Sequence, residues 1–380
     1  MVRDQLSPQE AELQLSNWKV VAVVRKLLLR ELRLQPGLGS DPRRRLAAED
    51  YFSLILFGLF NPVVRTLRGL SRASKLARVQ REVCTSAVSL GSFSEAQHAF
   101  GPQVLQRVLQ KIAAQAAASF GQGEPLARAI PELVAHDSTL IKALPRMAWA
   151  VWMDQDNPGI RVHVDFEVFR QFPEDVAIEP AGRCERKVWK PRLRARRFYV
   201  GDRYFGHDYN LMRLIGRRGS WFVFRLQTNT YLQGLCGSER PLSAADGAAG
   251  VVCDKLVSVG RKNPQVYRLV QVRVQGMTLD LITNRLDLAA ELIALAYKYR
   301  WQVELYFKWL KCILGCEHWL AESPQGVAIQ VYCALIASVL LALWTGKRPT
   351  KRAMEALQLY QLGWASEQEL ALLLRLEKIG

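Results

Sequence analysis

Three carboxylates in this chain stand where chemistry would need them. Asp137 follows the short β-branched run "ELVAH", Asp202 follows "FYVG", and Glu304 is the one acid in "YKYRWQVELYFKWLK", residues 297–311. Each has a bland reading. An Asp at a strand end is often a turn former or helix cap, and an exposed Arg–Glu pair four residues apart contributes only about 0.3–0.5 kcal/mol. Trp301, Tyr306, Phe307 and Trp309, however, leave little room for a freely solvated helix. Acids held together without compensation repel one another and shift in pKa. A hard divalent cation relieves that, and oxygen donors select Mg²⁺ or Mn²⁺ over zinc. At roughly 100° per residue, Tyr297, Arg300, Glu304 and Lys311 fall within about 60° on one helix face, with Lys308 beside them.

The elements that must position these residues can be read from the patterning. Residues 1–125 read as helical. "SFSEAQHAF" offers a capping pair, Ser94 with Gln97, and Arg43, Arg44 and Arg45 begin a set of cations continued by Arg65, Arg68, Arg72, Lys75 and Arg78. This region is either a solvated basic face or a small helical DNA-binding module. Residues 126–228 change texture: "ELVAHDSTL", "GIRVHVDFEVF" and "DVAIEP" read as strands, then "RRFYVGDR" ends a strand at Asp202, "DYNLMRLIGRRG" is a short helix, and "SWFVFRLQT" is a further strand. That succession predicts an α/β domain with a mixed sheet. Residues 229–283 read as a β-rich insertion. Asp287 is placed to begin one long helix through Glu304 within 284–345, and 346–380 reads as two short helices with a capping box from Ser366 to Glu369.

Composition bounds the partners. The 380 residues carry 52 Lys and Arg against 35 Asp and Glu, a formal net charge of +17. A surplus of that size suits nucleic acid or an anionic surface. The densest run, "RCERKVWKPRLRARR" at 183–197, is either a solvated loop or a phosphate clamp built from Arg186, Lys187, Lys190, Arg192 and Arg194. Seven scattered cysteines without a CxxC pair speak against a disulfide framework and fit a reducing cytoplasm. Cys312 and Cys316 with His318 read as helix packing before a metal site. "VAIQVYCALIASVLLALW" is marginal in length for a bilayer and reads as a buried core helix, so no membrane partner is expected.

The spacing Tyr297-x2-Arg300-x3-Glu304-x6-Lys311 matches the "YREK" signature of insertion-sequence-four family DDE transposases. The chain resembles that family over about residues 50–345, with Asp137 in "AHDST" and Asp202 in "VGDRYF" at the two aspartate motifs. The resemblance implies an α/β fold with an RNase H-like core, a mixed sheet flanked by helices with a β-rich insertion, plus helical N-terminal and C-terminal regions. It implies Asp137, Asp202 and Glu304 as catalytic metal ligands. Two Mg²⁺ ions per active site, replaceable by Mn²⁺, would serve cut-and-paste phosphoryl transfer on the element's own ends. It further implies phosphate contacts by Arg300 and Lys311, a strand contact by Tyr297, and a base stacked on Trp301. Where relatives carry a base-stacking Trp in the insertion's last strand, "GMTLDLITN" has none. The implied partners are double-stranded DNA, both terminal inverted repeats and target, and a second copy in the DNA complex, in the cytoplasm on the nucleoid. A structure-selective nuclease of the same fold would keep the acids without needing Arg300 and Lys311. A domesticated DNA-binding protein often loses a ligand, and none is missing here.

Overall fold

A computed structural model describes residues 28–34, 46–117, 125–150, 159–260, 264–314, 319–345 and 349–376, less 32, 62, 131, 145 and 229. Arg43, Arg44, Arg45, Cys316 and His318 lie outside the described residues. In chain order come α1 (Ala48–Phe60), α2 (Leu67–Ala73), α3 (Ala77–Glu82), α4 (Leu90–Ala99), α5 (Gln103–Ala117) and α6 (Pro125–Ala129). Then follow β1 (Leu133–Lys142), β2 (Gly159–Glu167), β3 (Phe172–Pro180), α7 (Glu185–Trp189), β4 (Phe198–Gly201), α8 (Tyr209–Arg217) and β5 (Trp221–Arg225). The remainder is β6 (Leu232–Glu239), α9 (Ala244–Ala248), β7 (Val251–Val259), β8 (Gln265–Val274), β9 (Met277–Thr283), α10 (Ala290–Lys298), α11 (Trp301–Ile313), α12 (Pro324–Thr345), α13 (Lys351–Gln361) and α14 (Glu367–Leu376).

The chain groups into two compact units. One gathers residues 1–119, 141–159 and 308–380, the other 120–140 and 160–307. In the first, α12 packs on α5, α1 and α4. It is apolar on every side, so burial all round is the way it can be accommodated in water. It is long enough to cross a membrane but is buried along nearly its whole length, as a core helix is. Ser366 and Glu369 form the reciprocal cap of α14. At α4 the expectation needs correcting: the cap is Ser89, whose hydroxyl accepts the Ser92 N–H, and Ser94 lies inside the helix. Burial of Phe93 and Ala96 rewards helix one turn earlier than the Ser94–Gln97 pattern implies.

The second unit holds an RNase H-like sheet in the order β3-β2-β1-β4-β5-β9-β8-β7-β6. β1, β4 and β5 run parallel, whereas β3 lies antiparallel to β2. Residues 229–283 make no separate sheet. β9 pairs antiparallel with β5, and β8, β7 and β6 continue outward. Side chains alternate along each strand, which sorts them cleanly. Val134, Tyr199, Phe222 and Phe224 join Trp189, Phe205, Leu211 and Ile215 in one apolar layer. The intervening Ala135, Val200 and Val223 point the other way, and α10 packs against β4 and β5.

Two glycines permit this layer. A Cβ on Gly201 would stand 2.9 Å from the Phe224 ring and 3.0 Å from Phe205. One on Gly206 would meet the Arg225 carbonyl oxygen at 2.0 Å, a contact that requires the backbone to move.

Candidate active site

Strand register brings the two aspartates together. The last aligned pair of β1 and β4 is Ala135 with Val200. Two residues further along both strands stand Asp137 and Asp202, on the face opposite the Trp189 layer. The β4–β5 ladder ends at Gly201 with Phe224, so the next residues, Asp202 and Arg225, are neighbours as well. The site thus lies where the parallel β1–β4 and β4–β5 pairings stop, although β1 itself continues to Lys142. Arg225 carries no signal in the sequence beyond being an Arg at the end of "WFVFR". Only the register reveals its place.

The helical contribution differs from the expected single helix. α10 begins at Ala290, with Ala289 at its cap, and Asp287 instead pairs with Arg285 at 2.7 Å. The chain then breaks at Tyr299 and Arg300 before α11 begins. Across the break the N–H groups of Arg300, Gln302 and Val303 reach back three residues, to the carbonyls of Tyr297, Tyr299 and Arg300. The uninterrupted 100° spacing therefore does not apply from Tyr297 to Lys311. Glu304 falls in the first turn of α11, where the helix dipole favours an anion. Lys308 and Lys311 follow one and two turns along the same helix, Lys308 exposed and Lys311 half-buried. Trp301, at its start, is 51% exposed.

Arg300 is the hub of the site. Its guanidinium lies 2.7 Å from Glu304 Oε1 and 3.7 Å from Asp137 Oδ2, and 5.9 Å from the Tyr297 ring centroid. Burial works against its charge, but Tyr297, Glu304 and Asp137 more than offset this and hold it above the ordinary guanidinium value. Burial pushes the Asp137 carboxyl up to about 6; the Asp202 charge adds to the rise, while the Ser138 N–H, Arg300 and His136 oppose it. Burial also raises the Tyr297 phenol, with Arg300 and Arg225 pulling it down and Asp202 pushing it up. Asp202 accepts the Tyr204 N–H at 2.8 Å.

The donor set fits a hard divalent cation in kind. Asp137 and Asp202 are adjacent oxygen donors whose mutual charge is only partly compensated. In position, Glu304 is engaged by Arg300, and among the described residues no three acidic, histidine or cysteine side chains surround one point.

The basic run 183–197 is an ordered segment and not a solvated loop. α7 and the 3₁₀ turn Lys190–Arg192 order it. Lys190 lies 2.7 Å from Asp208, Arg192 2.8 Å from Asp175 and Arg194 2.8 Å from Glu174. Arg186 stands 4.5 Å over the Tyr204 ring and 4.0 Å from Asp208. Lys187 remains exposed. Most of these cations thus serve carboxylates of the same unit, a use that local sequence cannot disclose because the acids are distant in the chain.

An RNase H-like sheet with two aspartates side by side on neighbouring strands, Asp137 within β1 and Asp202 just past β4, faced by an Arg–Glu couple, defines a DDE-type protein. The model of the transposase DDE domain family matches residues 128–340, and the chain belongs to that family. It is 28% identical over 192 residues to "Putative transposase y4zB" of Sinorhizobium fredii, which covers 49% of this chain and 53% of that protein. It is 26% identical over 212 residues to "Probable transposase for insertion sequence element IS5377" of Geobacillus stearothermophilus, 56% of each. The chain thus spans about half the length of the curated relatives it matches. Both relationships accord with the insertion-sequence-four resemblance of the signature.

Proposed function

We propose that the chain is a DNA transposase that cuts and rejoins the ends of its own insertion sequence by metal-dependent phosphoryl transfer. The observation that carries this reading is the juxtaposition of Asp137 and Asp202 in neighbouring register, with Arg300 linking Asp137 to Glu304. Two Mg²⁺ ions, or Mn²⁺ in their place, held by Asp137, Asp202 and Glu304 would supply activation of a water or 3′-hydroxyl and stabilisation of the leaving oxygen. Arg300, released from balancing the acids, presents its planar fork to a phosphate of the cut strand. Arg225 and Tyr297 line the same edge and hold that strand against Asp202. Trp301, 51% exposed at the start of α11, would take an unstacked base, and Lys308 and Lys311 extend the positive track along α11.

Further DNA contact would come from the exposed cations of α2, α3 and their connection, Arg68, Arg72, Lys75 and Arg81. The expected partner besides duplex DNA is a second copy of the chain. The exposed Trp364, Leu372 and Leu373 at the C-terminal helices supply apolar surface for it. A cytoplasmic location at the nucleoid follows from that substrate.

The test is cleavage of a labelled duplex bearing the gene's flanking ends, with Mg²⁺ or Mn²⁺, by wild type and Glu304→Ala. Metal-dependent cuts at the repeat boundary, lost in the variant while binding persists, support the reading. Binding without cutting by either protein points instead to a domesticated DNA-binding role. Equal cutting by both removes Glu304 from the site.

A further inference from the structure

Asp137 and Asp202 must keep a fixed spacing to share an ion, yet each lies two residues past the last aligned pair of the short β1–β4 ladder. We infer that α7 is a positioning clamp that holds the two aspartates in register from the opposite face of the sheet. The inference rests on the reading of those aspartates as working acids.

Both chain neighbours of Asp137 are tied to α7. His136 points into the apolar layer, where its ring lies flat against Trp189, with centroids 3.8 Å apart and planes 5° from parallel. Its Nδ1 meets Asp165 Oδ1 of β2 at 2.5 Å, both groups being buried. On the other side of Asp137, the Ser138 hydroxyl accepts from Arg161 at 3.1 Å, and the same guanidinium group pairs with Glu185. Arg161 also donates to the Ala181 carbonyl at 3.2 Å. So Trp189 and Glu185, the two ends of one five-residue helix, hold the residues before and after Asp137.

The same helix reaches the residues after Asp202. Trp189 packs edge-on against Phe205 at 4.9 Å. Arg186 covers the Tyr204 ring, and the Tyr204 N–H is the one that Asp202 Oδ1 accepts. Arg186 and Lys190 also flank Asp208, whose carboxylate caps α8. This accounts for a basic and aromatic run that contributes most of its charges to its own unit: it ties β1 around Asp137 to the segment after β4 through one short helix anchored by the buried Trp189. Trp189, His136 and Glu185 touch neither acid and are positioning residues. Groups that orient ligands from behind typically govern about 10- to 100-fold of metal affinity.

The test is Mn²⁺ binding by the full-length chain, read from the EPR signal of the free ion, without reliance on activity. His136→Asn removes the stacked ring and Glu185→Gln removes the ion pair behind Ser138. Each is expected to weaken Mn²⁺ binding about tenfold or more. Trp189→Phe, which keeps a flat ring against His136, is expected to retain most of it. Arg194→Gln, which breaks a pair with Glu174 in the same run, is expected to leave it unchanged. Should His136→Asn fail to fold, Glu185→Gln, at the half-buried rim, carries the test. Wild-type Mn²⁺ binding in the His136 and Glu185 variants, with Asp137→Asn abolishing it, overturns the clamp and leaves the acids' role standing. Wild-type binding by Asp137→Asn itself overturns the reading beneath, and the clamp with it.

Discussion

Asp137→Asn should make the metal-free protein more stable at neutral pH. Burial raises the Asp137 carboxyl from 3.8 to about 6, with the neighbouring Asp202 charge contributing. At 1.36 kcal/mol per tenfold, the ionised group costs the folded state about 3 kcal/mol. Water reaches a side chain that is 22% exposed, so a measured gain of about 1–3 kcal/mol is expected for the uncharged Asn. Because the folded state holds this proton more tightly than the unfolded chain, protonation favours folding. The penalty is therefore absent below pH 3.8, grows as pH rises, and is complete above about pH 6. The gain from Asn should be full at pH 7.5 in EDTA and should vanish near pH 4. Hydrogen–deuterium exchange of the β1 and β4 amides reads this for the sheet unit alone. Adding Mg²⁺ at a hundredfold of its Kd should then stabilise wild type by about 2.7 kcal/mol and the variant scarcely at all. An Asn variant less protected than wild type at pH 7.5 would refute the argument, since Asp137 would then be a structural partner of Arg300 and not an uncompensated acid.

Three further outcomes follow from other parts of the fold. Gly206→Ala should cost about 1–3 kcal/mol in thermal unfolding and depress cleavage without altering any charge, because its Cβ would enter the Arg225 carbonyl beside Asp202. Asp254→Ala should cost about 3–5 kcal/mol, since Arg268 is 2% exposed and loses both of its 2.7–2.8 Å contacts with Asp254. Limited proteolysis within 229–283 reads that loss, and the double variant with Arg268→Met should recover much of it. Replacing Arg68, Arg72, Lys75 and Arg81 together by Gln should lower the salt exponent of DNA binding by about 3–4 if each neutralises one phosphate. An unchanged slope would remove that face from the DNA contact.

Much of the site is visible in the linear chain because its signals are local. Short runs of β-branched and aromatic residues such as "ELVAH" and "FYVG" mark the strands; Asp202 lies just past the end of β4 as expected, whereas β1 continues to Lys142 and Asp137 stands inside it. The four-residue spacing from Arg300 to Glu304 suffices for an ion pair once any helical turn forms there. The break at Tyr299 and Arg300 has no such signature. No proline or glycine marks it, and helix propensity continues through it. The cap of α4 was ambiguous for a related reason: two serines five residues apart both satisfy the local rule, and packing of Phe93 selects the earlier one.

By itself, the sequence determined the residue types that can do chemistry, their placement on or just past strands and on a helix, the patterning that makes a sheet, and a charge suited to a polyanion. These depend on neighbours in the chain. Tertiary structure alone decided that Asp137, Asp202 and Arg225 stand side by side, because the register of a parallel ladder joins segments separated by a crossover. It alone decided that Arg192 and Arg194 answer Asp175 and Glu174, and that Trp189 lies beneath His136. A charge or a ring is drawn to whichever partner folding brings within a few ångströms, and that partner is chosen in three dimensions.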